Sequence, residues 1–274
     1  MRIFLIAFLI VIYSCNPLDS ESGKRELMTG NWVFVYADNS HFDNFQRKDY
    51  AALKDTLAAV MGLKLVSFHA DGRFSQTDSM YRQNGKWEIT AGGELRVSDG
   101  GRAFNPLVAQ FAEMKEGRLH LRQYLKLGYD SAGLIWQIKK IGPEHPQAAL
   151  FDSTNNLWRK PALKEETNRQ LRARVAGMLK FYSLYFRLLS TEANYFSPRK
   201  VFLPFIYYQH SIGMKSLEES PAFARHFYSI EQAAMGWDML KTAFRASRSF
   251  PSGTDYVIEY ADYLAILQRA VEGK

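Results

Sequence analysis

The sequence predicts an α+β chain in two parts, an antiparallel β-barrel or half-barrel followed by an all-α bundle of about four helices. Between residues 31 and 140 apolar residues alternate and glycine-bearing turns recur, the signature of strands with one face in a core. After Pro161 the apolar period lengthens to that of helices with one buried stripe. A third feature stands apart from both parts: an apolar run opens the chain and ends at Cys15, the one cysteine in 274 residues.

Arg2 supplies a positive charge, Ile3 to Tyr13 is an unbroken apolar or aromatic run of eleven residues, and Ser14 places a small side chain before Cys15. That layout is an export signal. The run has roughly half of the ~20 residues that a spanning helix needs, so it is too short to cross a membrane as a mature element. Ile12-Tyr13-Ser14-Cys15 resembles the bacterial lipobox, in which an aliphatic, a variable and a small residue precede a cysteine. The resemblance implies a signal peptide over 1–14, cleavage between Ser14 and Cys15, a diacylglyceryl group on the thiol and a further acyl chain, such as palmitate, on the new amine. Buried acyl chains contribute about 0.8 kcal/mol per CH₂, so more than one chain makes a lasting anchor. Residues 15–26 are polar and are expected to form a flexible tether. Asp19 and Glu21 within them resemble the acidic signal of surface lipoproteins of the Bacteroidota. The resemblance implies a bacterial cell envelope protein held to the outer membrane, without choosing between its periplasmic and surface faces.

With Cys15 committed to lipid, the body has no thiol for a disulfide, a nucleophile or a metal ligand. It has to be held together by burial, which a chain of this length supports. The formal charge of +7 is spread evenly, net +3 over residues 1–160 and +4 over 161–274. A nucleic-acid binder concentrates its basic residues in a patch or stripe, so no nucleic-acid partner is expected.

Strands are predicted near 31–37, 63–69, 73–80, 86–90, 94–98, 118–125 and 133–140. Alternation is clearest in Trp87 and Ile89, in Leu95 and Val97, in Leu119, Leu121 and Gln123, and in Leu134, Trp136 and Ile138. Asp71-Gly72, Gly92-Gly93 and Glu116-Gly117 are tight-turn pairs, so the strands should form an antiparallel meander. Closing such a meander into a barrel removes its exposed edges. Tyr50, Leu53, Leu57 and Met61 fall at helical spacing and predict an inserted helix near 47–61.

Gly30-Asn31-Trp32 resembles the Gly-x-Trp opening of lipocalin-like domains. Phe68-His69-Ala70-Asp71-Gly72-Arg73-Phe74, followed by Gly85-Lys86-Trp87-Glu88-Ile89, is similar to small lipocalin-like lipoproteins. The resemblance implies a lipocalin-like β-domain over 27–159, an apolar small molecule or lipid as its ligand, and a structural place for Trp32 across the barrel's closed end.

Over 161–274, Leu171, Val175, Met178, Tyr182, Tyr185 and Leu189 form one helical stripe. Phe223, Phe227, Ile230, Ala234, Trp237 and Phe244 form a second, and Val257, Tyr260, Leu264, Leu267 and Val271 a third. Ser197-Pro198, Ser220-Pro221 and Thr254 are the predicted caps. Arg199 to Met214 reads as a helix kinked or cut at Pro204. Tyr182, Tyr185, Phe186, Phe202, Phe205, Tyr207 and Tyr208 make a dense aromatic group, read first as core and second as an interaction surface.

No catalytic residue, metal site or cofactor is predicted. His41, His69, His120, His145, His210 and His226 lack metal-ligand spacing, and neither a serine-nucleophile elbow nor a phosphate-binding loop occurs. The expected function is therefore that of a lipid-anchored, non-enzymatic protein binding an apolar ligand in its barrel. A docking module with a filled barrel, partnered by another envelope protein, is the alternative. A glycan hydrolase needs two facing carboxylates, for which Glu88, Glu94 and Asp78 are the strand candidates.

Overall fold

A computed structural model describes residues 17–36, 63–77, 82–99, 107–127, 130–152, 161–192, 203–208, 211–247 and 255–273. Ser14, Cys15, Asp78, Ser197-Pro198, Thr254 and the helix expected near 47–61 lie outside the described residues.

The predicted barrel is present and closed. Eight antiparallel strands follow one another around it: β1 (Gly30–Tyr36), β2 (Lys64–Phe68), β3 (Arg73–Thr77), β4 (Arg82–Ile89), β5 (Leu95–Asp99), β6 (Leu107–Lys115), β7 (Arg118–Leu127) and β8 (Asp130–Ile141). The alternation read from sequence sets the register. Ile89 faces Leu95, Leu95 faces Ala109, and Ala109 faces Gln123 across successive strands. Turn chemistry held as well. Lys115 pairs with Arg118 around Glu116 and Gly117, whose φ values of 53° and 73° fit the two-residue hairpin turn that follows the strand twist. In the Asp71-Gly72 turn Gly72 takes φ 83°, its amide donating to the His69 carbonyl.

Strand β6 is absent from the sequence-based expectation. Its pairing with β7 slips between Phe111 and Glu113, a bulge that breaks the two-residue period, and beyond it Met114 is exposed although its partner Leu119 is buried. Strands β1 and β2 also depart from simple alternation, since Trp32 to Val35 and Leu65 to Phe68 are buried on both faces, as their nearly continuous apolar runs allow.

The tether expected over 15–26 needs correction in its second half. Helix α1 (Glu21–Met28) occupies that position, with Ser20 Oγ accepting from the Gly23 amide at its start. An isolated eight-residue helix is unstable in water, and this one is held by the barrel. Lys24 Nζ donates to the Gly93 carbonyl at 3.1 Å, the Arg25 guanidinium lies 5.3 Å from the Trp87 ring, and Met28 is fully buried.

Helices dominate the rest of the chain: α2 (Asn168–Glu192), α3 (Pro221–Ala224), α4 (Ile230–Ala246) and α5 (Tyr256–Glu272). Thr167 and Gln170 cap α2 reciprocally. Helix α5 is capped by Asp255 rather than by Thr254: Asp255 Oδ1 accepts from the Val257 and Ile258 amides, a contact worth about 1 kcal/mol. Burial opposes the charge on Asp255, but hydrogen bonds from Ser190 and those two amides outweigh it and hold the carboxyl below its ordinary range. Ser220 does not cap with its side chain, which donates to the Ser216 carbonyl instead. The second predicted stripe is divided at Ser229, whose Oγ accepts from the Gln232 amide to begin α4.

Helices α2 and α5 run antiparallel, with Arg172 reaching the Val271 carbonyl, Ser183 the Ala261 carbonyl and Ser190 the Asp255 carboxylate. Helix α4 packs on both. At Gly236 a Cβ would lie 2.6 Å from the Phe227 ring and 3.3 Å from Val175, so only glycine permits that approach.

The helix expected over Arg199 to Met214 is instead a two-stranded hairpin, β9 (Phe205–Tyr208) paired with β10 (Ser211–Met214). Pro204 cannot continue a helix, and Phe-Ile-Tyr-Tyr fits a pleated surface better than a helical one. The Lys215 amide extends the pairing to the Pro204 carbonyl.

The chain forms two compact units. One holds residues 66–76 and 82–140 with the N-terminal segment through β1. The other holds residues from 141 onward with Leu63 to Leu65 and Thr77. The boundary thus lies before the expected end of the β-domain at 159, because the short turn Ala148–Leu150 buries Leu150 and packs on α2.

Candidate functional site

The barrel interior is the first place to look for a ligand, and a row of aromatic side chains on neighbouring strands lies in its core. The Phe68 ring lies 5.2 Å from Trp87, 5.7 Å from Phe74 and 6.1 Å from Phe34, and Phe34 lies 6.1 Å from Trp136. All five are buried. Leu95, Leu119, Leu121 and Ile138 are also fully buried. The two barrel tryptophans of this cluster have satisfied N–H groups: Trp136 Nε1 donates to Gln123 Oε1 at 2.9 Å and Trp87 Nε1 to the His69 carbonyl at 2.8 Å. Among the described residues this core cluster is apolar and buried, with its two indole N–H groups paired.

Trp32 lies where α1 enters β1. Its Nε1 donates to the Met28 carbonyl at 2.7 Å, Lys140 Nζ sits 5.5 Å from its ring, and the same ammonium donates to the Leu27 carbonyl. A buried indole with its one donor used by the backbone is a packed structural side chain.

In the helical unit, Glu166 and Arg174 form a buried ion pair with side chains 4% and 6% exposed. Arg174 Nε donates to Glu166 Oε2 at 2.9 Å and Nη2 to Oε1, and the Leu163 amide donates to Oε1 at 3.2 Å. The Arg174 hydrogen bonds hold the Glu166 carboxyl below the ordinary glutamate range against desolvation, with the Leu163 amide assisting. Gln232 Nε2 donates to the Leu163 and Lys164 carbonyls. The same amide's oxygen accepts from Tyr228 N–H. These bonds fix Leu163 and Tyr228 beside each other. Both, with Ile230, are more than half exposed.

Tyr182, Tyr185 and Phe186 are core, as is Phe205, which stacks on Phe244. Tyr185 Oη donates to the Leu63 carbonyl. Burial pushes the Tyr260 hydroxyl well above its ordinary range and that of Tyr263 up to about 12, so both are neutral at physiological pH and neither is poised as a base.

Of the carboxylates considered for glycan chemistry, Glu88 is exposed and pairs with Arg96 at 3.2 Å on the facing strand position. Glu94 accepts from Gln110 at the next rung. Neither is buried in the barrel core. Among the described residues no three His, Cys, Asp or Glu side chains group as metal ligands, and no helix is long and apolar enough to cross a membrane. Glu166–Arg174 left no helical signal in the sequence, because Glu166 precedes the helix that carries Arg174.

No family model, curated protein or solved structure matches the chain. The fold defines the class on its own terms: a closed eight-stranded antiparallel barrel in a chain that also carries a helical unit.

Proposed function

We propose that the protein is a lipid-anchored component of a bacterial cell envelope that acts as a docking module, with its barrel serving as a packed body rather than a ligand container. The observation that carries this reading is the set of five linked aromatic rings inside the barrel. A ligand pocket of drug size needs roughly 300 Å³ or more of open volume; the near-complete burial of these five rings, on the neighbouring strands β8, β1, β2, β3 and β4, supports an interior without one. The exposed Leu163, Tyr228 and Ile230, held on hydrogen-bonded backbone, supply a surface for a protein partner. The anchor is the acylated Cys15, the last residue of the lipobox-like Ile12-Tyr13-Ser14-Cys15.

A Cys15→Ser variant tests both parts. It is expected to fold, to lose its acyl groups and to leave the membrane fraction. Titrated with a fluorescent fatty acid, the purified variant is expected to give no saturable signal. Retention of acyl mass on the variant would sink the anchor, and saturable one-to-one probe binding would restore the barrel as a binding site.

A further inference from the structure

The polar stretch after Cys15 looks in sequence like a long rope, and most of it is folded onto the barrel. Ser20 caps α1, Lys24 and Arg25 hold it to the β4–β5 turn and to Trp87, and Met28 and Leu27 engage Trp32 and Lys140. Order extends further back: the Pro17 carbonyl lies 2.7 Å from where a Cβ on Gly23 would stand, so the turn before the helix is packed against it. Only Asn16 separates Cys15 from this packed turn. Two Cα–Cα steps span at most about 8 Å.

The end of the barrel that receives α1 follows from topology. In a closed antiparallel meander, the start of β1, the end of β8 and the turns after β2, β4 and β6 share one end. Helix α1 contacts that set at Gly93, Leu27–Lys140 and Trp32.

Resting on the acylation proposed above, we infer that this α1-bearing end of the barrel faces the lipid surface at close range, with the barrel's other end directed away. The covalent link sets this pose and charge does not, because α1 balances Glu21 and Glu26 with Lys24 and Arg25. The interaction surface is thus a folded collar meeting lipid headgroups.

Because the acylated protein has no free thiol, single cysteines report position without background. Ala91→Cys places a probe in the exposed β4–β5 turn, and Tyr124→Cys places one on an exposed site along β7. Tyr124 lies six residues beyond Arg118, the first residue of β7, so about 20 Å along the strand from the α1-bearing end. Each acylated variant, labelled with a fluorophore, is reconstituted into phosphatidylethanolamine–phosphatidylglycerol vesicles carrying a headgroup quencher. Quenching is expected to be severalfold stronger at position 91 than at 124, and unchanged when the phosphatidylglycerol fraction is varied. Inserting 20 Gly/Ser residues between Asn16 and Pro17 adds an r.m.s. reach of about 25 Å and is expected to level the two. Equal quenching without the insert, on protein whose mass carries the acyl groups, overturns the inference and leaves the anchor standing. Protein without acyl mass overturns both.

Discussion

Phe68→Ala is expected to destabilise the barrel by about 3–5 kcal/mol, read as a lowered denaturation midpoint at unchanged m-value. Phe68 is 2% exposed and touches three other rings, at 5.2 to 6.1 Å. Removing it deletes a large apolar surface and leaves a hole walled by Phe34, Phe74 and Trp87, rings anchored on different strands and so unable to collapse freely. The cost therefore includes the cavity as well as the lost transfer energy. The same hole is apolar and would stay dry, so a benzene-sized ligand should bind it and restore part of the lost stability. A loss below about 1.5 kcal/mol, the scale of a site that relaxes or was already hollow, would argue that the interior is not close-packed at its centre.

Arg174→Met is the second large effect. It leaves the Glu166 carboxylate buried with the Leu163 amide as its remaining hydrogen-bond donor among the bonds described above. Breaking a buried pair from one side costs about 3–5 kcal/mol, whereas replacing both members by apolar groups is often neutral. Arg174→Met combined with Glu166→Leu should therefore recover most of the loss, and failure to recover would show that Arg174 acts through other contacts. The pair also has a pH signature. The folded-state pKa of Glu166 is depressed, so its contribution is complete above the unfolded glutamate value of about 4.3 and is lost as pH falls through the folded value. In Arg174→Met the desolvated carboxyl no longer has its main stabilising partner, so this part of the acid sensitivity should shrink or reverse.

Much of the barrel was legible because strands such as β4, β5 and β7 state their own inward face. Trp87 and Ile89, Leu95 and Val97, and Leu119 and Leu121 alternate cleanly, and their turns carry the residues that tight hairpins need. Legibility failed where tertiary structure overrides the local period. The bulge at Phe111 and Glu113 hid β6. The continuously apolar Phe202 to Tyr208 has no period to read, so Pro204 looked like a helix kink when it precedes a hairpin. Helix α1 buries little besides Met28, and its stability comes from Gly93, Trp87 and Lys140, all distant in sequence. The proposed acylation motif at Ser14-Cys15 is local in sequence and needs no folded partner to be read. The nearness of Leu163 and Tyr228 could not be read, because Gln232 bridges their backbones only after folding.

The barrel is proposed here as a packed body with no resident ligand, carried by a lipid on Cys15. Native mass spectrometry of the mature protein, extracted gently from membranes, tests it most directly. The account predicts one mass, that of the chain from Cys15 onward plus its covalent acyl groups, unchanged between native and denaturing conditions. A stoichiometric apolar molecule present in the native spectrum and lost on denaturation would contradict it.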